Sequence, residues 1–419
     1  MVPSPLAGCD MEFSIIQHSL PKPEFSISEL EGLHLNITVP LVENVVPRPE
    51  TKLPVFVFIH GGAFAIGSNA WPQYSQARSV RLSATLGTPV IGVGFLTSAE
   101  LRAEGYESNG GLKDQMTALQ WVKKNIGGSG GDGENVTVIG ESAVSGMQLL
   151  HSPEPLFKRL VGMSGSPLIL PPLPPPVTES AYAAVIQALG LSHLSGAERA
   201  KALLDVHIDM LFEKLQPTAP LMPVIDGALI PSVPTFAQIS SKTIEPGKTL
   251  ASICSTMLGS RLYNIAASFT SSLNSSLPSH AAKILSAYSI TPSTPSPFAL
   301  HAILRFATDI AFLAPTISLA NGWPGAAYVY HFNEPNPWDG SWKDEAGHVL
   351  DVAFLFQNFS EFLTEKQKES SRAFAADFVC FVNGEKGLEC YEEAIKDSRV
   401  VFRYIGGDED WAPKQEKGE

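Results

Sequence analysis

Apolar and polar positions alternate between two rhythms along the first third of the chain. Residues 53–60, LPVFVFIH, form a short apolar run rich in β-branched and aromatic side chains that ends in glycines. Such a run predicts a buried strand feeding a loop. Residues 89–95, PVIGVGF, and 136–140, VTVIG, read as two more strands. Between the last two, 111–125 (GLKDQMTALQWVKKN) carries apolar residues at Leu112, Met116, Leu119 and Val122, which is helical spacing, and glycines follow as a stop signal. Strand, helix, strand and a turn is the grammar of a parallel sheet with crossover helices.

Past the prolines of 167–176 the rhythm becomes helical in 178–216. Residues 265–305 are Ser- and Ala-rich with scattered apolar positions. We expect 171–325 to supply most of a helical cap or insertion within a single domain, 1–419. The pattern returns to sheet at 326–332, AAYVYHF, and to helix over 367–395. No internal repeat is visible.

Composition narrows the picture. The 419 residues are 44% hydrophobic and 17% charged, which suits a globular chain with a large core. A net charge of −13 argues against a nucleic-acid surface or an anionic membrane as partner. The four cysteines, Cys9, Cys254, Cys380 and Cys390, show no metal-binding spacing, and we expect them reduced. The first 25 residues have no basic n-region and no unbroken apolar h-region, and no run reaches 18 apolar residues. The expectation is a cytoplasmic protein with no membrane span.

Three segments carry candidate chemistry. In 59–64, IHGGAF, glycines after a strand let backbone N–H groups point into a site, where they can hold an oxyanion. In 140–143, GESA, a strand-to-helix turn would expose Ser142 Oγ. In 346–356, AGHVLDVAFLF, a loop glycine places His348 at the start of a helix, with Asp351 on its first turn. A serine hydroxyl needs a base titrating near the working pH, and histidine suits that role. Each segment alone has a bland reading as turn, surface loop or core histidine. Together, in this order, they fit acyl-ester hydrolysis.

With these motifs in place, the run 109–143, the segments HGGAFAIGS (60–68), EPLFKRLVGMSGSPL (154–168), IDGALIPSVP (225–234), ATDIAFLAP (307–315) and GHVLDVAFLF (347–356) together resemble the type-B carboxylesterase family, the cholinesterase and fungal lipase group. The resemblance implies an α/β-hydrolase fold, with a central, mostly parallel sheet flanked by helices and a helical cap. It implies a Ser–Glu–His triad, a small-molecule ester substrate and no cofactor or metal. Carried over by motif, Ser142 is the nucleophile, His348 the general base, and the N–H groups of Gly62, Ala63 and Ala143 the oxyanion hole. Glu141 lines the site, and Asp226, Asp309 and Asp351 match supporting positions.

The sequence departs from that pattern in four places. The elbow is shortened behind Ala143, which runs directly into Val144, where a branched Cβ should strain the turn. A second gap falls near 93–94. The place of the family's triad acid holds Met257 or Leu258 before Gly259, and no Asp or Glu occurs between Glu245 and Asp309, so the triad acid is unknown. Gly32 stands where the family has the first cysteine of a disulfide. Three readings follow: a serine esterase of reduced activity, a catalytically silent homologue used for binding, or a biosynthetic acyl transferase or lactone-forming enzyme.

Overall fold

The structure, a computed structural model, describes residues 7–25, 35–41, 45, 47–82, 95–142, 155–166, 168–207, 210, 213–214, 222–236, 264–322, 326–385 and 403–405. Three strands, β1 (Leu53–Ile59), β2 (Gly131–Glu141) and β3 (Arg159–Met163), lie side by side in that order, and both pairings are parallel. In register, Val57 lies beside Val138 and Ile139 beside Val161.

Alternation along the strands divides the core into two layers. Val55, Val57, Ile59, Val136 and Val138 pack with Leu112, Leu119 and Val122 of the helix Gly110–Asn125. Phe56, Phe58, Ile139 and Met163 belong to the opposite layer. That layer is completed by the N-terminal helix Gly8–Ile16 and the helices Leu350–Phe356 and Glu365–Asn383. Every residue of Leu350–Phe356 is buried, which explains why LDVAFLF has no polar stripe.

The first and third expected strands and the intervening helix are present, while the expected strand at 89–95 falls almost wholly outside the described residues. The expected return to sheet shortens to β4, Tyr330–Phe332, which pairs in parallel with β5, Arg403–Ile405, in a separate two-stranded ladder. Within 171–325 the described elements are chiefly helical: Pro175–Ala188, Gly196–Leu204, Ile265–Ser276, Ala281–Ala287, Ser296–Thr308 and Ala314–Gly322. A π-helical turn, Asp309–Leu313, joins the last two. The joined stretch Ser296–Gly322 is long and apolar enough, by length and composition, to cross a membrane. Here it turns Ala299, Ile303, Phe312 and Leu319 into the protein.

One polar knot fixes the start of the helix Gly110–Asn125. The Asn109 side chain donates to Val224 O (3.0 Å) and Asp226 Oδ2 (2.8 Å) and accepts from Val224 N (2.8 Å). Asp226 Oδ1 accepts from the N–H groups of Ala228 (3.0 Å) and Ile230 (2.8 Å). Asp226 thus has the supporting role expected of it. Asp309 also serves structure, accepting from the Tyr288 hydroxyl at 2.6 Å.

Candidate active site

The carboxyl ends of all three sheet strands converge on one place, the usual location for chemistry on a parallel sheet. β1 ends in His60, Gly61, Gly62, Ala63 and Phe64. Gly62 (φ 108°), Ala63 (φ 53°) and Phe64 (φ 62°) are all left-handed. A side chain on Gly62 would overlap the carbonyl of Ile66, and the N–H groups of Ala65 and Ile66 both donate to Gly62 O, which tightens the turn. β2 ends at Glu141, and Ser142 follows with φ 57°, a conformation costly for a residue with a Cβ. The Ser142 N–H donates to Met163 O at the end of β3 (2.7 Å), so the strained turn is pinned to the sheet.

His348 comes from a later segment, just before the helix Leu350–Phe356, and Val349 between them is left-handed (φ 65°). The expected helix therefore starts two residues after the histidine. His348 Nε2 lies 3.1 Å from Ser142 Oγ, across 206 positions of sequence. Phe312, from the π-helical turn, lies beside the imidazole with its ring tilted 52° and the ring centroids 6.5 Å apart. Ser142 is 6% exposed and His348 3% exposed.

The third close group is Glu141, which is 1% exposed. Its Oε1 lies 3.3 Å from His348 Nε2, and its carboxylate takes the Gly61 N–H. Gly61 leaves room for this: a methyl group there would overlap the Glu141 carboxyl. Burial, then the carboxyls of Glu12 and Asp351, push Glu141 well above the ordinary carboxylate range, against the Gly61 N–H. Asp351 is pushed up to about 7 by burial, despite hydrogen bonds from the Tyr330 hydroxyl and the Val352 N–H. Glu12 is also raised to about 7 by burial, while accepting from the Tyr74 hydroxyl (2.6 Å) and Gln73 Nε2 (3.1 Å). His60 is driven down to about 4 by burial, with Nδ1 2.8 Å from Gly61 O, so it stays neutral at the edge of the site.

The structure thus brings together Ser142, His348 and Glu141, with Gly62 and Ala63 on the adjoining turn. Ala143, Val144, Glu245 and the Met257–Leu258–Gly259 stretch lie outside the described residues. Sequence reasoning missed Glu12 and the phenols of Tyr74 and Tyr330. A signal for Glu12 was available: in the helix Gly8–Ile16 it falls on the buried stripe Cys9, Glu12, Phe13, Ile16, an acid among core positions. Among the described residues, no cluster of three or more His, Cys, Asp or Glu is arranged to hold a metal ion.

A strained serine after a parallel strand, a histidine delivered from a later loop and a left-handed glycine turn define the α/β-hydrolase fold. Solved structures agree: the carboxylesterase of Geobacillus stearothermophilus superposes with a TM-score of 0.67 at 22% identity, over 85% of this chain and 79% of that one. The model of the Carboxylesterase family matches residues 14–393, and the chain belongs to that family. It is 25% identical over 455 aligned positions to the para-nitrobenzyl esterase of Bacillus subtilis, covering 95% of this chain and 84% of the relative. It is 32% identical over 201 positions to Lipase 4 of Diutina rugosa, covering 43% of this chain and 36% of the lipase. The match therefore spans about a third of the length of that lipase.

Proposed function

We propose that the protein hydrolyses a small carboxylic ester through an acyl-enzyme on Ser142, with His348 as general base. The observation that carries this reading is the 3.1 Å approach of His348 Nε2 to Ser142 Oγ at a pinned, left-handed turn. Nε2 takes the hydroxyl proton as Oγ bonds to the ester carbonyl carbon. The N–H groups of Gly62 and Ala63, with Ala143, receive the negative charge on the carbonyl oxygen. Nε2–H then protonates the departing alkoxide, and water repeats the sequence in reverse to release the acid. Membership in the family, and the esterases and lipases among its relatives, support the same reading.

The test is covalent labelling with a fluorophosphonate probe, with the modified residue located by mass spectrometry. Labelling is expected at Ser142, lost in Ser142→Ala, and slowed about 10³-fold or more in His348→Gln. Folded wild-type protein that stays unlabelled would overturn the enzyme reading in favour of a silent homologue that binds. Product analysis with added alcohols separates a hydrolase from an acyl transferase: free acid as the product in their presence supports hydrolysis.

A further inference from the structure

The family's triad acid orients the base histidine through the ring nitrogen remote from the serine and balances the charge of the imidazolium. In this sequence the segment expected to supply it has no acid between Glu245 and Asp309. A different carboxyl reaches the imidazole. Glu141 Oε1 accepts no hydrogen bond among the described groups and lies 3.3 Å from His348 Nε2, with both side chains at most 3% exposed. Its other oxygen is packed against Gly61, so the carboxyl has little freedom to turn away.

We infer that Glu141 is the carboxyl counterpart of the His348 imidazolium, acting on Nε2, the nitrogen that also serves Ser142. This rests on the esterase reading above and assigns Glu141 a part in its chemistry. The proton leaving Ser142 Oγ enters a cluster of three atoms: Oγ, Nε2 and Oε1. While Oγ bonds to the acyl carbon, Nε2–H carries the positive charge, and ionised Glu141 neutralises it without taking the proton. The proton then passes to the departing alkoxide, so Glu141 is unchanged at the end of each half-reaction. An acid on this side cannot select the imidazole tautomer as an acid at the far nitrogen does, so the substitution is partial.

The arrangement has a characteristic pH signature. Around Glu141 stand Glu12 from the N-terminal helix, Tyr74 from the turn Pro72–Tyr74, Asp351 from the helix Leu350–Phe356, Tyr330 from β4, and His348 itself. The acids among them oppose ionisation of Glu141, while an imidazolium at His348 favours it. The pair therefore gives up its shared proton as a unit, at a higher pH than an imidazole without a carboxylate beside it.

The experiment follows His348 by NMR titration in wild type and Glu141→Gln, with His348→Gln to assign the signal, and measures probe labelling across the same pH range. The His348 midpoint is expected to fall by at least one pH unit in Glu141→Gln, with the acidic limb of labelling moving down alongside it and the plateau at least tenfold lower. Glu141→Asp, which keeps the charge, is expected to hold the midpoint near that of wild type. A midpoint that does not move in Glu141→Gln overturns the inference, whatever happens to the plateau. Continued labelling of Ser142 in that case leaves the esterase reading standing, so the two failures are told apart.

Discussion

Asp226 and Glu141 both accept from backbone N–H groups, and their surroundings shift their acidity in opposite directions. Partial burial alone would raise Asp226, but the N–H of Ile230, the Asn109 amide and the N–H groups of Ala228 and Leu229 outweigh it and hold the carboxyl below its ordinary range. Glu141 has one backbone donor, full burial and two further carboxyls facing it, and is held above that range. The first arrangement fixes an ionised acid as structural glue between the loop at 224–230 and the start of a helix. The second keeps an acid unsatisfied beside a reactive pair. The lesson is that donor count against burial decides which acids stabilise the fold and which are held ready for chemistry.

The site end should break more severely. Gly61→Ala places a methyl group into the Glu141 carboxyl and close to Ser142 Cβ, so both reacting neighbours must shift. Overpacking of this kind costs about 1–3 kcal/mol, and labelling of Ser142 should fall along with stability. Thermal unfolding with parallel labelling checks both. Unchanged labelling would mean that the close fit of Gly61 against Glu141 does not govern the serine.

The structural end should break without touching chemistry. Asp226→Asn turns an acceptor into a donor opposite the Asn109 amide, which now donates to Asp226 Oδ2. Because the bond is only partly buried, we expect a loss of about 1 kcal/mol, measured by urea unfolding, with labelling of Ser142 unchanged. A loss of labelling comparable to that in Gly61→Ala would erase the distinction between the two ends.

How far these differences were legible beforehand depended on whether a residue's role lay in its local segment. The strand before Ser142, the glycine turn and the helix Gly110–Asn125 were readable because backbone geometry leaves a local pattern: an alternating run, a pair of glycines, a 3.6-residue stripe. His348 and Ser142 could be paired only through family motifs, since nothing in periodicity joins positions 206 residues apart. Glu141 was readable as a neighbour of the serine, but its approach to Nε2 depends on where a distant loop sets the imidazole. Glu12 escaped because its partners, Tyr74 and Gln73, lie about sixty positions away, and an acid in a short amphipathic segment reads by default as solvated. The reading of β4 failed in extent for a similar reason, as a strand's pairing is settled by its neighbour, here β5.

Glu12 offers the subtlest test of the comparison, because it asks for a sign rather than a loss. Its folded pKa is raised from 4.5 to about 7, so between those values the folded protein keeps a proton that the unfolded chain has released. Stability contributed by this group therefore falls as pH rises from about 4.5 to about 7, then levels off. Glu12→Gln preserves an acceptor for Tyr74 and removes the titration, so its stability relative to wild type should improve across that window and stop improving above it. Asp226 must behave in the reverse sense. Its lowered pKa gives stability that is present above the ordinary carboxylate value and lost as pH falls through the folded one, so the deficit of Asp226→Asn should shrink in acid. Unfolding free energies of the two variants, measured from about pH 2.5 to 8, should thus trace curves whose changes with pH occur in different windows and come from opposite causes. If Glu12→Gln shows no change between pH 4.5 and 7, Glu12 ionises like a surface acid, and the cluster behind the serine is not the strained counterpart of the Asp226 knot.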